Sequence, residues 1–153
     1  YEVGRDQSEI ALKGPTRMRF TVEAAARIEG RPTVPVELVV NGLPVAQRDL
    51  PADGAIHPLN FETTLDQSAW VAVRVKPSAH TNPFFVLVDG QPIRANRHSA
   101  EWCLRGVDQC WSQKLNTYHP DERDQARADY DHARAVYRRI LGEHGPNAPA
   151  RRP

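Results

Sequence analysis

The densest polar stretch of the 153-residue chain is Lys76-Pro-Ser-Ala-His80-Thr-Asn-Pro83, set between two strongly apolar runs. Ser78, His80, Thr81 and Asn82 bring hydroxyls, an imidazole and a carboxamide close together. A loop uses that mixture of donors and acceptors to hold a polar ligand or a neighbouring domain. The same residue types also cap a loop's own backbone, which is their commoner fate, and Pro83 pre-sets an extended approach to the next run. Arg94, Arg97 and His98 form a small basic cluster further on. Such a cluster suits a phosphate or carboxylate, though it more often forms a solvated link. The candidate binding residues are therefore Ser78, His80, Thr81, Asn82 and Arg94.

Catalytic and metal-binding patterns are sparse. The chain has no Gly-x-Ser-x-Gly, no phosphate-binding glycine loop and no His-Glu-x-x-His. Its histidines are His57, His80, His98, His119, His132 and His144, and no two stand as His-x-His or four apart on one helix. No catalytic residue and no metal ligand set is predicted. Cys103 and Cys110 are seven apart, about 10.5 Å along a helix axis. A disulfide needs Cα atoms within about 7 Å, so the two are expected to stay unpaired and to pack as small core residues. Trp102 and Trp111 could form a sugar-stacking surface, but their spacing to Cys103, Val107 and Cys110 predicts core packing. Trp70 shares a strand face with Ala72 and Arg74, which points to a place under the helices rather than in the sheet core.

The elements that must position these residues change character near residue 95. Before it the chain is rich in Val, Thr and Pro, with short alternating runs. In Arg17–Ala24, Met18, Phe20, Val22 and Ala24 share one face while Arg17, Arg19, Thr21 and Glu23 share the other. Val34–Val40 alternates likewise, with Pro35 marking it as an edge strand or the start of a bulge. Asn41-Gly42 follows, the strongest short hairpin signal, and predicts a return strand over Leu43–Asp49. Asp53-Gly54 predicts a tight turn before Leu59, Phe61 and Thr63. Ala69–Val75 alternates again. Phe84–Val88 is continuously apolar, as a strand buried on both faces would be, and Asp89-Gly90 turns it back over Gln91–Arg94. About seven short strands punctuated by turns predict an antiparallel β-sandwich, immunoglobulin-like or jelly-roll-like, over residues 1–95.

After residue 95 helical periodicity takes over. Ser99 is the expected N-cap of a helix running to about Asn116, with Glu101 in its first turn. Pro120 opens a second helix whose apolar stripe is Ala126, Tyr130, Ala133, Tyr137, Ile140 and Leu141. Gly142 or Gly145 ends it, with Pro146 beyond. The fold class is thus mostly β with C-terminal α, a sandwich followed by a two-helix hairpin packed on it over 96–145, and a flexible tail over 146–153.

Composition limits function further. Twenty basic and 19 acidic residues leave a net charge of +1, too little for a broad field that holds nucleic acid. Hydrophobic residues make up 40%, enough for a core without disulfide or zinc staples. No window of about 18 residues is apolar throughout, so no transmembrane segment is expected, and no signal peptide pattern opens the chain. Tyr1 stands where a Met would begin a natural chain, so the sequence reads either as a processed chain or as a piece of something longer.

Several segments together resemble one family. They are Val34-Pro-Val-Glu-Leu-Val-Val-Asn-Gly42, Ala69-Trp-Val-Ala-Val-Arg74, Ser78-Ala-His-Thr-Asn-Pro83 and Gln91-Pro-Ile-Arg94, then Ser99-Ala-Glu-Trp-Cys-Leu104, Val107-Asp-Gln-Cys-Trp111 and Tyr130-Asp-His-Ala-Arg-Ala-Val-Tyr137. In this order they resemble the C-terminal accessory region of CehA/McbA-type metallohydrolases, relatives of the PHP-domain phosphoesterases. The resemblance implies an upstream catalytic domain that holds divalent metal and hydrolyses ester-like bonds. It implies for this chain a non-catalytic role in domain packing, cleft shaping or oligomer contacts, with no cofactor of its own. Its partners would be that catalytic domain, another protein subunit or a second copy in a homo-oligomer. Family members are often bacterial and exported, which implies a periplasmic or secreted setting. The alternative is a stand-alone binding or structural subunit, for a carbohydrate or protein partner, of an exported protein or a larger assembly.

The helical reading of the tail has a direct test. Replacing Ala133 with Gly should lower unfolding free energy by about 1 kcal/mol from helix propensity, plus any packing loss. Urea denaturation followed by circular dichroism measures it, and no change would mean that 121–141 is not a packed helix.

Overall fold

In strand β2 (Thr16–Arg27) every second residue is shielded and every other is exposed, so the strand has one dry and one wet face. Met18, Phe20, Val22 and Ala24 line the dry face and pack against the core, as the alternation predicts. The computed structural model describes residues 9–77 and 79–143. The chain forms two units, Tyr1–Ile93 and Arg94–Pro153.

In the first unit, β2 pairs antiparallel with β5 (Asp53–Leu65), setting Phe20 opposite Phe61 and Val22 opposite Leu59. The second sheet runs in the order β1 (Glu9–Leu12), β8 (Phe84–Val88), β6 (Ala69–Val75), β3 (Thr33–Val40) and β4 (Leu43–Pro51), with the short β7 (Ala79–His80) also against β6. All its pairings are antiparallel except β1 with β8, which is parallel. Both sheets contribute to one apolar cluster, Val34, Val36, Leu38, Leu50, Val71 and Val86 from the larger and Leu59, Phe61 and Leu65 from the smaller. The arrangement is a sandwich. Its strand order is immunoglobulin-like, with β2 and β5 as the B–E pair and β3, β6 and β8 as C, F and G.

Turn chemistry sets the register. Asn41 and Gly42 take φ of 50° and 88°, the two positive values that a type I′ turn demands. Asn41 also ties the turn to β6: its backbone amide donates to the Trp70 carbonyl at 3.0 Å, and its Oδ1 accepts from the Trp70 amide at 3.1 Å. Buried Ser68 accepts from the Val88 amide at 2.9 Å and donates to the Gln91 carbonyl, closing the end of β8 onto β6.

Several elements depart from the sequence pattern. The strand with Pro35 is central, flanked by β4 and β6. Pro35 is tolerated because its carbonyl accepts from Lys76 just beyond the last β3–β6 pair, Val36 with Val75, so its missing N–H falls where the ladder ends. The bulge lies further along, between Leu38 and Val39. Asp53-Gly54 is not a turn. It opens β5 directly after Ala52, where the chain crosses from one sheet to the other, and Gly54 takes φ 86° opposite an irregularity at Ala25–Arg27. Phe84–Val88 is buried on one face only. Phe84, Val86 and Val88 enter the core, while Phe85 is 38% exposed. Gln91–Arg94 forms no strand. Strand β1 has no counterpart among the expected elements, because four residues paired in parallel leave no hairpin signal.

In the second unit, α1 (Arg97–Lys114) and α2 (Arg123–Glu143) form a hairpin through two short 3-10 turns. Asn96, not Ser99, is the N-cap of α1. Its side chain accepts from the Ser99 amide at 2.7 Å, so Ser99 lies in the first turn and no acidic residue does. Gly142 lies inside α2, which continues to Glu143. The helices meet through Trp111, whose ring centroid is 5.1 Å from that of Tyr130, and through Arg134, which donates to Asp108 at 2.7 Å. Trp102 is 66% exposed, contrary to the core position its spacing suggested, since the facing stripe turns through Cys103, Val107 and Cys110 instead. The expected tail at 146–153 lies outside the described residues.

Phe61 is fully buried in the sandwich core, with the Arg48 guanidinium 5.8 Å from its ring centroid. Phe61→Ala should therefore cost about 3–5 kcal/mol, read as a lowered urea midpoint; a loss under about 1 kcal/mol would be too small for a side chain closing this core.

Candidate functional site

The polar stretch after β6 forms a corner. Lys76–Pro77 is a cis peptide, and β7 folds back so that His80 stands opposite Arg74 and Ala79 opposite Val75. Thr81 bonds twice to one residue of β6. Its amide donates to the Val73 carbonyl at 2.9 Å, and its Oγ1 accepts from the Val73 amide at 3.1 Å. The hydroxyl thus stands in for a strand carbonyl where the ladder would otherwise lapse. The exposed His80 ring lies with Nδ1 3.0 Å from the Thr81 carbonyl. A carbonyl can only accept, so Nδ1 carries the hydrogen and Nε2 is the acceptor in the neutral ring. Asn82 is exposed ahead of Pro83. Ser78 lies outside the described residues.

Glu37 supplies the charge at this corner. Arg74 donates to it through Nε at 2.7 Å and approaches through Nη2 at 2.6 Å, and Lys76 Nζ stands 3.7 Å away. The Glu37 side chain is only 12% exposed, so the two cations compensate a largely desolvated carboxylate. No motif or spacing in the sequence points to Glu37, because strand register brings it opposite Arg74.

Arg94 belongs to the other unit. Its Nε donates to Glu143 at 2.6 Å, and Arg97 donates to Glu101 and to the Leu141 carbonyl, at 2.9 and 3.1 Å. Arg94 and Arg97 of the basic cluster thus engage two carboxylates of their own unit and one carbonyl near the end of α2.

The same hairpin holds a thiol–phenol cluster. Cys110 Sγ lies 3.1 Å from Tyr130 Oη, which also receives the Tyr118 hydroxyl at 3.4 Å. The Cys110 bond, then the Tyr118 bond and burial, push the Tyr130 phenol well above its ordinary range. Cys103 raises Tyr137 in the same way. Both cysteines are free thiols, as their spacing requires, but half-buried rather than in a core.

On the wet face of the smaller sheet, Arg17 and Arg19 both grip Glu62, Arg19 from 3.0 Å. The Arg19 bond and then the Arg17 bond hold the Glu62 carboxyl below its ordinary 4.5. At the start of β5, Asp53 accepts from the Ala55 amide at 2.8 Å and meets His57 Nε2 at 3.0 Å. Those contacts, the amide first, lower its pKa. Alternation alone placed Arg17 and Arg19 side by side; their partner Glu62 lies across a register that the sequence does not reveal.

Among the described residues, no three of His, Cys, Asp and Glu gather as they would around a metal ion, and no helix is long and apolar enough to cross a membrane. Comparison with family models, with curated proteins and with solved structures finds no match to this chain.

Thr81 is where binding and capping roles separate. Thr81→Val keeps the shape but leaves the Val73 amide without its acceptor, costing about 1–3 kcal/mol of stability. Denaturant unfolding measures it, and hydrogen exchange at Val73 should quicken. A fully stable variant would return the hydroxyl to the list of ligand groups.

Proposed function

We propose that this chain is a non-catalytic accessory module, of the kind the resemblance implies beside the metal-binding domain of a PHP-type hydrolase, and that it works through its surfaces. The observation that carries the reading is how its polar groups are used. Thr81 bonds the Val73 backbone, Arg94 bonds Glu143, Arg74 bonds Glu37 and Arg134 bonds Asp108. The groups best suited to chemistry thus hold the fold. At the same time Leu43, Val45, Ile56 and Phe85 are exposed on the sandwich, side chains that favour contact with another protein surface.

A stand-alone binding subunit is the second reading. Trp102, 66% exposed on α1, favours it, since an open indole suits a sugar ring or an apolar partner.

Two measurements test the first reading. The encoding frame should continue upstream into a region with paired histidines and carboxylates, whereas a short frame with an export signal supports the second reading. The purified chain, incubated with zinc or manganese and then dialysed, should retain only substoichiometric metal and leave an aryl ester intact. Stoichiometric metal with ester cleavage by this chain would overturn the proposal.

A further inference from the structure

We propose that β2 docks a second copy of this chain, the two β2 strands pairing antiparallel about Thr21 so that the B–E sheets of both copies join across a two-fold axis.

One side of β2 pairs with β5, and among the described residues no strand pairs with the other. An open edge presents a row of N–H and C=O groups that template another strand, and proteins usually blunt it with shortness, proline or a bulge. The other edges here are blunted in those ways. Strand β1 has four residues. Strand β4 carries Pro44, Pro51 and the irregularity opposite Leu38–Val39. Strand β5 carries Gly54 and Pro58. Strand β2 runs for 12 residues with neither proline nor glycine, and its one irregularity, at Ala25–Arg27, is confined to its last residues.

Charge and overlap choose the register. A pairing that keeps dry face with dry face must shift in steps of two residues, which leaves a residue of β2 on the axis. With Thr21 there, Arg19 of each copy lies opposite Glu23 of the other, a complementary pair made twice, as an isologous interface requires. The overlap then runs from Thr16 to Ala26, and Phe20 meets Val22 on the dry face. With Val22 on the axis, Arg17 would face Arg27. With Phe20 on the axis, Arg17 would take Glu23 in place of Arg19, but the overlap shrinks to Thr16–Ala24. Within one copy Glu23 lies opposite Pro58, so no charge answers it across β5. Arg19 uses Nε and Nη2 on Glu62, leaving guanidinium hydrogens for a second carboxylate.

The inference extends the oligomer-contact part of the accessory reading, yet the two fail separately, because one rests on the upstream frame and the other on mass in solution. Sedimentation velocity of the full chain should give twice the chain mass at micromolar concentration. Glu23→Lys and Arg19→Glu should each give the single mass, because like charges then meet across the axis. Mixing the two variants should restore the double mass. In the mixed pair the introduced lysine of one copy faces the introduced glutamate of the other, and the native pairing of Arg19 with Glu23 survives at the second position. Circular dichroism confirms folding; Glu23→Lys is the safer variant, as Pro58 and not a charge lies opposite. A parent chain that stays monomeric, a variant that stays dimeric singly, or a mixture that stays monomeric would each overturn the pairing.

Discussion

A two-stranded ribbon has too little buried surface to stand alone in water. The B–E pair of this sandwich exists because it lays Phe20, Leu59, Phe61 and Leu65 onto the inner face of the larger sheet. Everything in the first unit follows from that mutual burial. It fixes which residues of β2 point outward, and hence that Arg17 and Arg19 face solvent together. It requires the chain to cross between sheets at Ala52, where Asp53 and Gly54 supply the local hydrogen bonds and the positive φ of the crossing. It also explains why Arg48 lies over Phe61, its guanidinium facing the ring at the border of the core.

The second unit rests on different physics. Ala100 is the one buried residue among those described in it. Its helices are held by aromatic contacts at Trp111, by a thiol bonded to a phenol, and by the ion pair of Arg134 with Asp108 at 2.7 Å. Exposed pairs contribute modestly, so the ring contacts and partly shielded side chains carry most of the hairpin's cohesion.

Local pattern is the legible part of the structure. Period-2 alternation marks β2 and β6, Asn41-Gly42 marks the hairpin, and 3.6-residue periodicity marks both helices. What escapes depends on partners distant in sequence. The central position of Pro35 depends on where β6 ends, and β1 depends on a parallel neighbour far along the chain at Phe85–Val88. Helix caps compete locally, and Asn96 prevails over Ser99 because its side chain reaches the Ser99 amide. Among the candidate ligand residues, types and neighbourhood are readable, but the assignment of Thr81 to Val73 and of Arg94 to Glu143 is not. Those bonds arise only once β7 folds back and α2 returns to the start of α1.

The contact between Trp70 and the β3–β4 turn has a spectroscopic consequence. A Cβ at Gly42 would sit 3.7 Å from the Trp70 ring, so the indole borders this turn, while Trp102 and Trp111 belong to the helical unit. Indole emission therefore carries separable reports. Trp70 senses the sandwich from its outer face, Trp111 senses the hairpin seam, and the solvent-exposed Trp102 supplies a red-shifted background that changes little on denaturation.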